Sequence, residues 1–207
     1  MSTKLTLVND AFDLGSSAIV LFQKNSLAPR TRRQVVWRAI RYCRFGWEHP
    51  FEFSDTVSVC IDDGFGNFSA AQPARPGARF DVCAIPSGKS LVARRGCLTD
   101  QKITVTNQLA RGAVNSNLLR GGRIFAQQRD LAPLQTACFE NDNDLWVGLT
   151  DDHLGFDFVC SVSVINSPTR LSLRNVASAE IVMRCARGGR RGKGKLASFE
   201  LANINSG

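Results

Sequence analysis

Short strand-like segments, each bounded by Gly, Pro, Asn or Asp, follow one another through most of the chain, and they constrain the fold more than any other feature. From Thr56 onward they recur at near-even spacing, as in Thr56 to Ile61 and Arg79 to Ile85. Many short strands of this kind predict a sandwich or a barrel. We therefore predict an all-β fold, a single antiparallel β-sandwich.

The chain has 207 residues, 43% of them hydrophobic, and it can bury a core as one large β domain or two small ones. We predict one domain over residues 1–207 because no internal repeat is clear. Lys4 to Val8 and Ser17 to Lys24 are predicted to form an opening antiparallel pair. Gly121-Gly122 predicts a tight hairpin turn, since two glycines supply the two positive φ angles of a type I′ turn.

One short α-helix is predicted, over about residues 31–44. Thr31 and Gln34 match a capping box, and apolar residues then recur at helical spacing until Gly46: Val35, Val36, Ala39, Ile40 and Cys43. Arg30, Arg32 and Arg33 would oppose the macrodipole at the N-terminus of this helix, so they mark a contact made elsewhere or a solvated face. Five aromatic residues near the helix end are expected to form a lid over the core, in preference to a platform that stacks on bases: Trp37, Tyr42, Phe45, Trp47 and Phe51.

The seven cysteines contain no CxxC pair, and most lie in strand-like runs. Reduced cysteine in such runs behaves as a small buried hydrophobe, so we predict neither disulfides nor a metal site. The N-terminus has no signal-peptide pattern, and no apolar run reaches the roughly 18 residues of a transmembrane helix. A cytoplasmic protein without a membrane span is predicted.

No catalytic, cofactor or metal site is predicted. Pro86-Ser-Gly-Lys-Ser90 resembles the end of a phosphate-binding P-loop, but Cys83 stands where the motif needs glycine, and a strand-like run follows where a helix is required. His49 and His153 lie in no nucleophile or metal motif. A hydrolase or metal enzyme would need a cysteine or a carboxylate beside one of these histidines in space.

A glycine-rich basic run, Arg184-Cys-Ala-Arg-Gly-Gly-Arg-Arg-Gly-Lys-Gly-Lys195, lies between two strand-like segments. We call residues 184–195 the basic run and predict that it is a loop between adjacent strands. The net charge of +8 permits nucleic acid, anionic lipid or an acidic partner. The loop can face solvent, phosphate or the carboxylates of a neighbouring subunit. The predicted polyanion- or subunit-binding residues are Arg30, Arg32, Arg33, Arg187, Arg190, Arg191, Lys193 and Lys195.

The opening Leu5-Thr-Leu-Val-Asn9, the segment Ser17-Ala-Ile-Val-Leu-Phe-Gln-Lys-Asn25 and the following Trp37 resemble the start of small bacterial proteins of the rhizosphere-expressed RhiA type. Those proteins open with a Leu-Thr-hydrophobic-Asn-Asn strand, then a hydrophobic-Phe/Tyr-Gln strand, then an apolar segment with a Trp. The resemblance covers about the first forty residues, and the arginine-rich segment and the basic run depart from it. It implies a cytoplasmic bacterial protein with no established catalytic residues.

These observations predict a non-enzymatic structural protein that self-associates into a homo-oligomeric or filamentous assembly through sheet edges and charged loops. The alternative is a nucleic-acid or polyanion-binding module that uses the basic glycine-rich loop 184–195. The alternative predicts binding that weakens steeply with salt, whereas the first hypothesis requires a mass above that of a monomer.

Overall fold

The computed structural model describes residues 2–24, 33–96, 101–151, 159–161, 165–185 and 197–207, with only the backbone at residues 33, 34, 159–161 and 167. No helix in these ranges is long and apolar enough to cross a membrane. The strands are β1 (Ser2–Asn9), β2 (Ala18–Phe22), β3 (Arg33–Val35), β4 (Arg38–Arg41), β5 (Glu48–Ser54), β6 (Val57–Asp62), β7 (Gln72–Ala74), β8 (Arg79–Ile85), β9 (Gly88–Arg94), β10 (Lys102–Asn107), β11 (Val114–Arg120), β12 (Arg123–Leu131), β13 (Thr136–Glu140), β14 (Asp144–Thr150), β15 (Val159–Ser161), β16 (Ile165–Ser172), β17 (Val176–Cys185) and β18 (Ala197–Ser206).

The all-β class is confirmed, but the predicted helix over about residues 31–44 is wrong. From Arg33 onward this segment contains β3 and β4, and the described residues contain no helix. β4 pairs with β2, which places Ile40 beside Ile19 and Ala39 beside Val20. Every residue of β2 is buried, so its backbone groups need a partner, and pairing with β4 supplies one. Long-range pairing has overridden the local helical spacing.

The chain divides into two compact units, which does not confirm a single sandwich. The first unit comprises Met1–Lys24, Arg32–Asp55 and Asn143–Gly207, and the second comprises Asn25–Thr31 and Thr56–Asp142. The assignment of residues 1–207 to one domain stays a prediction.

The first unit contains two four-stranded sheets, ordered β18-β17-β1-β5 and β16-β14-β2-β4, and the two-stranded sheet β15-β3. Alternate residues of β1 are buried, as expected for a strand with one face on a core. Trp37 lies edge-on to Phe51 and Phe53 of β5, with ring centroids 6.0 and 5.4 Å away. The backbone N–H of Trp37 donates to the carbonyl of Leu21 of β2, so Trp37 is bonded to one four-stranded sheet through its backbone and packs on the other through its ring.

The second unit also contains two four-stranded sheets, ordered β13-β10-β8-β9 and β12-β11-β6-β7. Its core includes buried residues from both sheets: Val59, Phe80, Val82, Ile103, Val105, Leu118, Phe125 and Phe139. The predicted hairpin at Gly121-Gly122 is confirmed, because it joins β11 to β12 and both glycines have positive φ, 56° and 77°.

The two units have the same topology. In the first, β1 lies between parallel β17 and antiparallel β5; in the second, β10 lies between parallel β8 and antiparallel β13. The order β14, β16, β17, β18, β1, β2, β4, β5 corresponds strand for strand to β6 through β13. The first unit therefore has the topology of the second in circularly permuted order. Its first four strands in this order, β14 to β18 without β15, come late in the chain, and its last four, β1 to β5 without β3, come early.

The predicted pairing of the first two strands is wrong. β1 is bonded to β17 and β5, whereas β2 is bonded to β14 and β4 in the other sheet. β1 therefore already has a partner on each side. Its N-terminal position in the chain gave no sign of this, since β17 lies more than a hundred residues away.

Candidate interaction surfaces

Most of the cationic residues predicted to bind a polyanion or a subunit lie outside the described residues: Arg30, Arg32, Arg187, Arg190, Arg191, Lys193 and Lys195. Arg33 begins β3 and is paired with Ser161 of β15, so it lies on a strand and not at a helix N-terminus. The macrodipole argument therefore fails at Arg33. The binding role of all these residues stays a prediction.

The strands on either side of the basic run pair as predicted. β17 and β18 are antiparallel, and Cys185 lies opposite Ala197. Arg184 lies at the end of β17, and its guanidinium donates to Asp10 at 2.8 Å and to Glu200 at 2.5 Å. The basic run therefore joins two strands at one end of the first unit. We call this the asparagine end, because β1 reaches it at Asn9.

Asn9 is fully buried and holds several chain segments together. Its side-chain Nδ2 donates to the carbonyl oxygens of Phe12 at 2.8 Å and Cys43 at 3.0 Å. Its backbone N–H donates to Trp47 at 3.1 Å, and its carbonyl accepts from Gly46 at 2.7 Å. Such a buried and fully bonded amide fixes the backbone around it.

The connection between β4 and β5, residues 42–47, is bonded at both ends to this asparagine. A further hydrogen bond runs from the backbone N–H of Phe45 to Asp13 Oδ1, at 2.8 Å. Leu14 donates to the carbonyl of Cys43 at 3.3 Å, and the Cys43 side chain is buried. The connection is therefore a braced turn.

Three large aromatic side chains project from this braced turn. Tyr42 is 73% exposed, Phe45 59% and Trp47 48%, and we call these three residues the aromatic tip. Tyr42 has a φ of 56°, a conformation that non-glycine residues adopt at a cost of about 1–2 kcal/mol. A strained, exposed ring on a braced backbone is an arrangement found at binding sites.

The predicted aromatic lid is therefore only partly right. Trp37 and Phe51 are buried as expected, but the three residues of the aromatic tip face solvent. The helix prediction had placed all five around one helix end, whereas β4 and β5 separate the buried pair from the exposed residues.

Two arginines accompany the aromatic tip. Arg41 and Arg44 are both exposed, and the guanidinium carbon of Arg44 lies 5.6 Å from the centroid of the Trp47 ring. This distance is within the range of a cation–π contact. Two of the three exposed rings therefore directly follow an arginine in the chain, Tyr42 after Arg41 and Phe45 after Arg44.

The outer edge of β18 is a second candidate surface. β18 is an edge strand of ten residues, and among the described residues it is hydrogen-bonded only to β17. Six of the eight edge strands in the four-stranded sheets contain Pro, Lys or Arg. Only β13 and β18 contain none of these residues. β18 has ten residues and β13 has five, so β18 offers the longer unprotected edge. Proline and charged residues are the usual protection of a free edge.

A groove in the second unit is a third candidate. It has a volume of about 690 Å³ and is lined by four exposed arginines, Arg75, Arg79, Arg94 and Arg95, which we call the arginine groove. Arg79 lies directly opposite Arg94 across β8 and β9, an arrangement in which like charges repel. Asp81 accepts from Arg94 at 2.8 Å and offsets one of these charges.

The described residues contain no group of three or more His, Cys, Asp or Glu side chains that could hold a metal ion. His49 lies on β5 with its Nε2 buried, and that atom has no hydrogen-bond partner within the described ranges. His153 lies outside them. The prediction that the chain is not an enzyme stays a prediction.

No protein-family model matches the chain, and no curated protein or solved structure is significantly similar to it. The resemblance to RhiA-type proteins therefore stays a prediction.

The sequence reasoning missed both the braced aromatic tip and the role of Asn9. A signal was present: Lys4-Leu-Thr-Leu-Val-Asn9 of β1 is matched by Lys102-Ile-Thr-Val-Thr-Asn107 of β10, with identical Lys, Thr and Asn. Asn107 is also fully buried. Two buried asparagines at the same position of two strands point to a shared turn architecture.

Proposed function

We propose that this protein is a structural protein that self-associates through the free edge of β18. The observation that carries the proposal is the combination of length and composition in this edge strand. It has ten residues, none of them Pro, Lys or Arg. An unprotected edge of this length is a template for pairing with another chain.

The single charged residue of β18 does not protect the edge. Glu200 is paired with Arg184 of the neighbouring strand β17, at 2.5 Å. Arg184 offsets part of the charge of Glu200, because it is paired with Asp10 as well. Register irregularities between β17 and β18 are confined to the stretch before Glu180 and its partner Ala202. The part from Ala197 to Ala202 therefore runs in regular register.

Two copies of this regular part can pair antiparallel about a twofold axis. The sheet β18-β17-β1-β5 would then continue into its copy as one sheet of twice the size. Twofold contacts of this kind are the commonest in homo-oligomers and close on themselves. A filament would require a second edge in addition to β18.

The test is the mass of the protein in solution, by sedimentation equilibrium over a wide range of concentrations. The disrupting variant is Ser198→Lys with Ala202→Lys, which places charges on the edge. Thr6→Lys is the control, because Thr6 lies in register with Glu180 and Ala202 on the inner strand β1 of the same sheet. We expect a dimer for the native chain and the control, and a monomer for the double variant. A native chain that stays monomeric would refute the proposal, as would equal weakening by Thr6→Lys.

Polyanion binding is a second candidate, and the arginine groove favours it. Cross-strand arginines such as Arg79 and Arg94 repel each other, and a bound anion relieves that repulsion. The test is elution from heparin for Arg79→Gln with Arg95→Gln, against Arg123→Gln at the hairpin turn of the same unit. We expect the double variant to elute earlier than the control. Equal elution would exclude the groove.

A further inference from the structure

We propose that the asparagine end of the first unit binds single-stranded nucleic acid, with the aromatic tip stacking on bases and nearby arginines contacting phosphates. This inference is independent of self-association through β18. It starts from side chains that the core does not need.

The first support is the exposure of the rings. Tyr42, Phe45 and Trp47 are each about half exposed or more, within a single connection of six residues. In the described part of the chain, the rings of Tyr42 and Phe45 stack on no other aromatic ring. A large ring with open faces can stack on any base, because every base has a π-face.

The second support is preorganisation. The backbone of the tip is held by the hydrogen bond that Asn9 donates to Cys43 and by the one that the Phe45 N–H donates to Asp13, so the rings are carried on a fixed turn. Rigid aromatic anchors lose little conformational entropy when they bind a ligand. The strained φ of Tyr42 is consistent with a side chain placed for contact and not for packing.

The third support is the charge around the rings. Arg41 and Arg44 are exposed and belong to the tip region. Arg184 lies at the same end, but it is paired with both Asp10 and Glu200. Arg44 lies beside the Trp47 ring, so it is placed to contact phosphate next to a stacked base.

These features favour a single strand over a duplex and over a lipid surface. The bases of a duplex are already stacked on each other, so their faces are closed to protein rings. The connection from Tyr42 to Trp47 contains no aliphatic side chain, and Arg44 separates Tyr42 from Phe45. Stacking platforms with interleaved cations have this composition, and they track phosphate backbones.

The experiment measures fluorescence anisotropy of a labelled oligouridine with the full chain. The test variant is Tyr42→Gly with Phe45→Ala; glycine at position 42 tolerates the positive φ, so the fold is not strained by the change. Loss of one stacked ring weakens binding by about tenfold, so the double variant should bind about a hundredfold less tightly. Arg44→Gln should instead make the slope of log affinity against log salt concentration shallower by about 0.7, the contribution of one phosphate contact on a single strand.

Two matched controls come from the second unit. Phe65→Ala removes an aromatic ring that is 92% exposed, and Leu134→Gly alters an exposed residue that, like Tyr42, has positive φ. We expect both controls to bind oligouridine as the native chain does. Circular dichroism and thermal unfolding of each variant establish that it is folded.

Four results would overturn the proposal. The native chain could fail to bind oligouridine at low salt, or the folded double variant could bind it as tightly as the native chain does. The third is a double variant that loses binding to phosphatidylserine vesicles and keeps binding to oligouridine, which would make the tip a lipid-binding site. Equal affinity for a duplex with the same number of phosphates would also exclude base stacking.

Discussion

The two units of this protein share one framework and differ in what it carries. In the second unit, Asn107 donates its side-chain N–H groups to Gly112 at 3.0 Å and Leu131 at 2.8 Å. Its backbone N–H donates to Gln135, and its carbonyl accepts from Leu134, at 2.9 and 2.7 Å. Asn9 makes the same set of bonds in the first unit. The buried asparagine is therefore part of the framework.

The connections held by this framework differ strongly. In the second unit, residues 132–135 join β12 to β13, and a two-residue turn joins β8 to β9. In the first unit the corresponding connections are residues 42–47, which include the aromatic tip, and residues 186–196, which include most of the basic run. Longer and chemically distinctive loops on a common scaffold are where proteins place binding residues. For this reason we place the proposed single-strand site in the first unit.

The sheets also differ on one face. In the first unit, Val20 and Phe22 of β2 pack with Val36 and Ile165 in an apolar cluster. In the second unit, the residue of β11 that corresponds to Val20 is Asn117, whose Nδ2 donates to Asp62 at 2.6 Å. The same strand position thus carries an apolar contact in one unit and a polar network in the other.

The largest expected effect comes from removing the shared asparagines. Asn9→Ala and Asn107→Ala each leave several buried backbone groups without partners, so each should lower the free energy of unfolding by about 2–4 kcal/mol. Urea denaturation measures this. Asn205→Ala is the control, because Asn205 is exposed, and it should cost less than about 0.5 kcal/mol. A loss below about 1 kcal/mol at only one of the two buried sites would break the equivalence of the units.

A smaller effect is expected from two close-packed glycines, one in each unit. A Cβ at Gly148 would lie 2.5 Å from Cγ2 of buried Ile165, and a Cβ at Gly96 would lie 2.6 Å from the Gly77 carbonyl oxygen. Each change to alanine should cost about 1–3 kcal/mol. Gly148→Ala should cost more, because Gly96 is exposed and its backbone can shift. Thermal unfolding that ranks them the other way would contradict this packing account.

The smallest expected effect is on how the free energy of unfolding depends on pH in the alkaline range. Burial raises the pKa of Cys43 in the first unit and of Cys60 in the second. A raised pKa in the folded state stabilises the fold below the thiol pKa of the unfolded chain, about 8.5, and this stability is lost as pH rises above it. Cys43→Ala and Cys60→Ala should each flatten the decline of unfolding free energy above about pH 8.5. An unchanged slope in both variants would show that these thiols do not contribute.

Much of the local structure could be predicted from the sequence, because strands and turns carry local signals. The hairpin at Gly121-Gly122 and the pairing of the strands around the basic run are examples. The helix prediction was wrong because Val36, Ile40 and Cys43 match helical spacing by chance. β4 forms because the buried strand β2, which lies earlier in the chain, needs a hydrogen-bonding partner. The shared topology of the two units could not be seen in the sequence, because the units are circularly permuted and the sequence therefore has no fixed repeat period. The aromatic tip could not be separated from the core before β4 and β5 were known.

The most direct test of self-association through β18 is hydrogen–deuterium exchange measured at low and high protein concentration. β18 and β9 hold corresponding edge positions in the two units, but only β9 carries Lys89 and Arg94. We expect the backbone amides between Ala197 and Ala202 to exchange more slowly as protein concentration rises. The exchange rates of the β9 amides should not depend on concentration. Exchange in β18 that is independent of concentration, or slowing in β9 instead, would contradict self-association through the first unit.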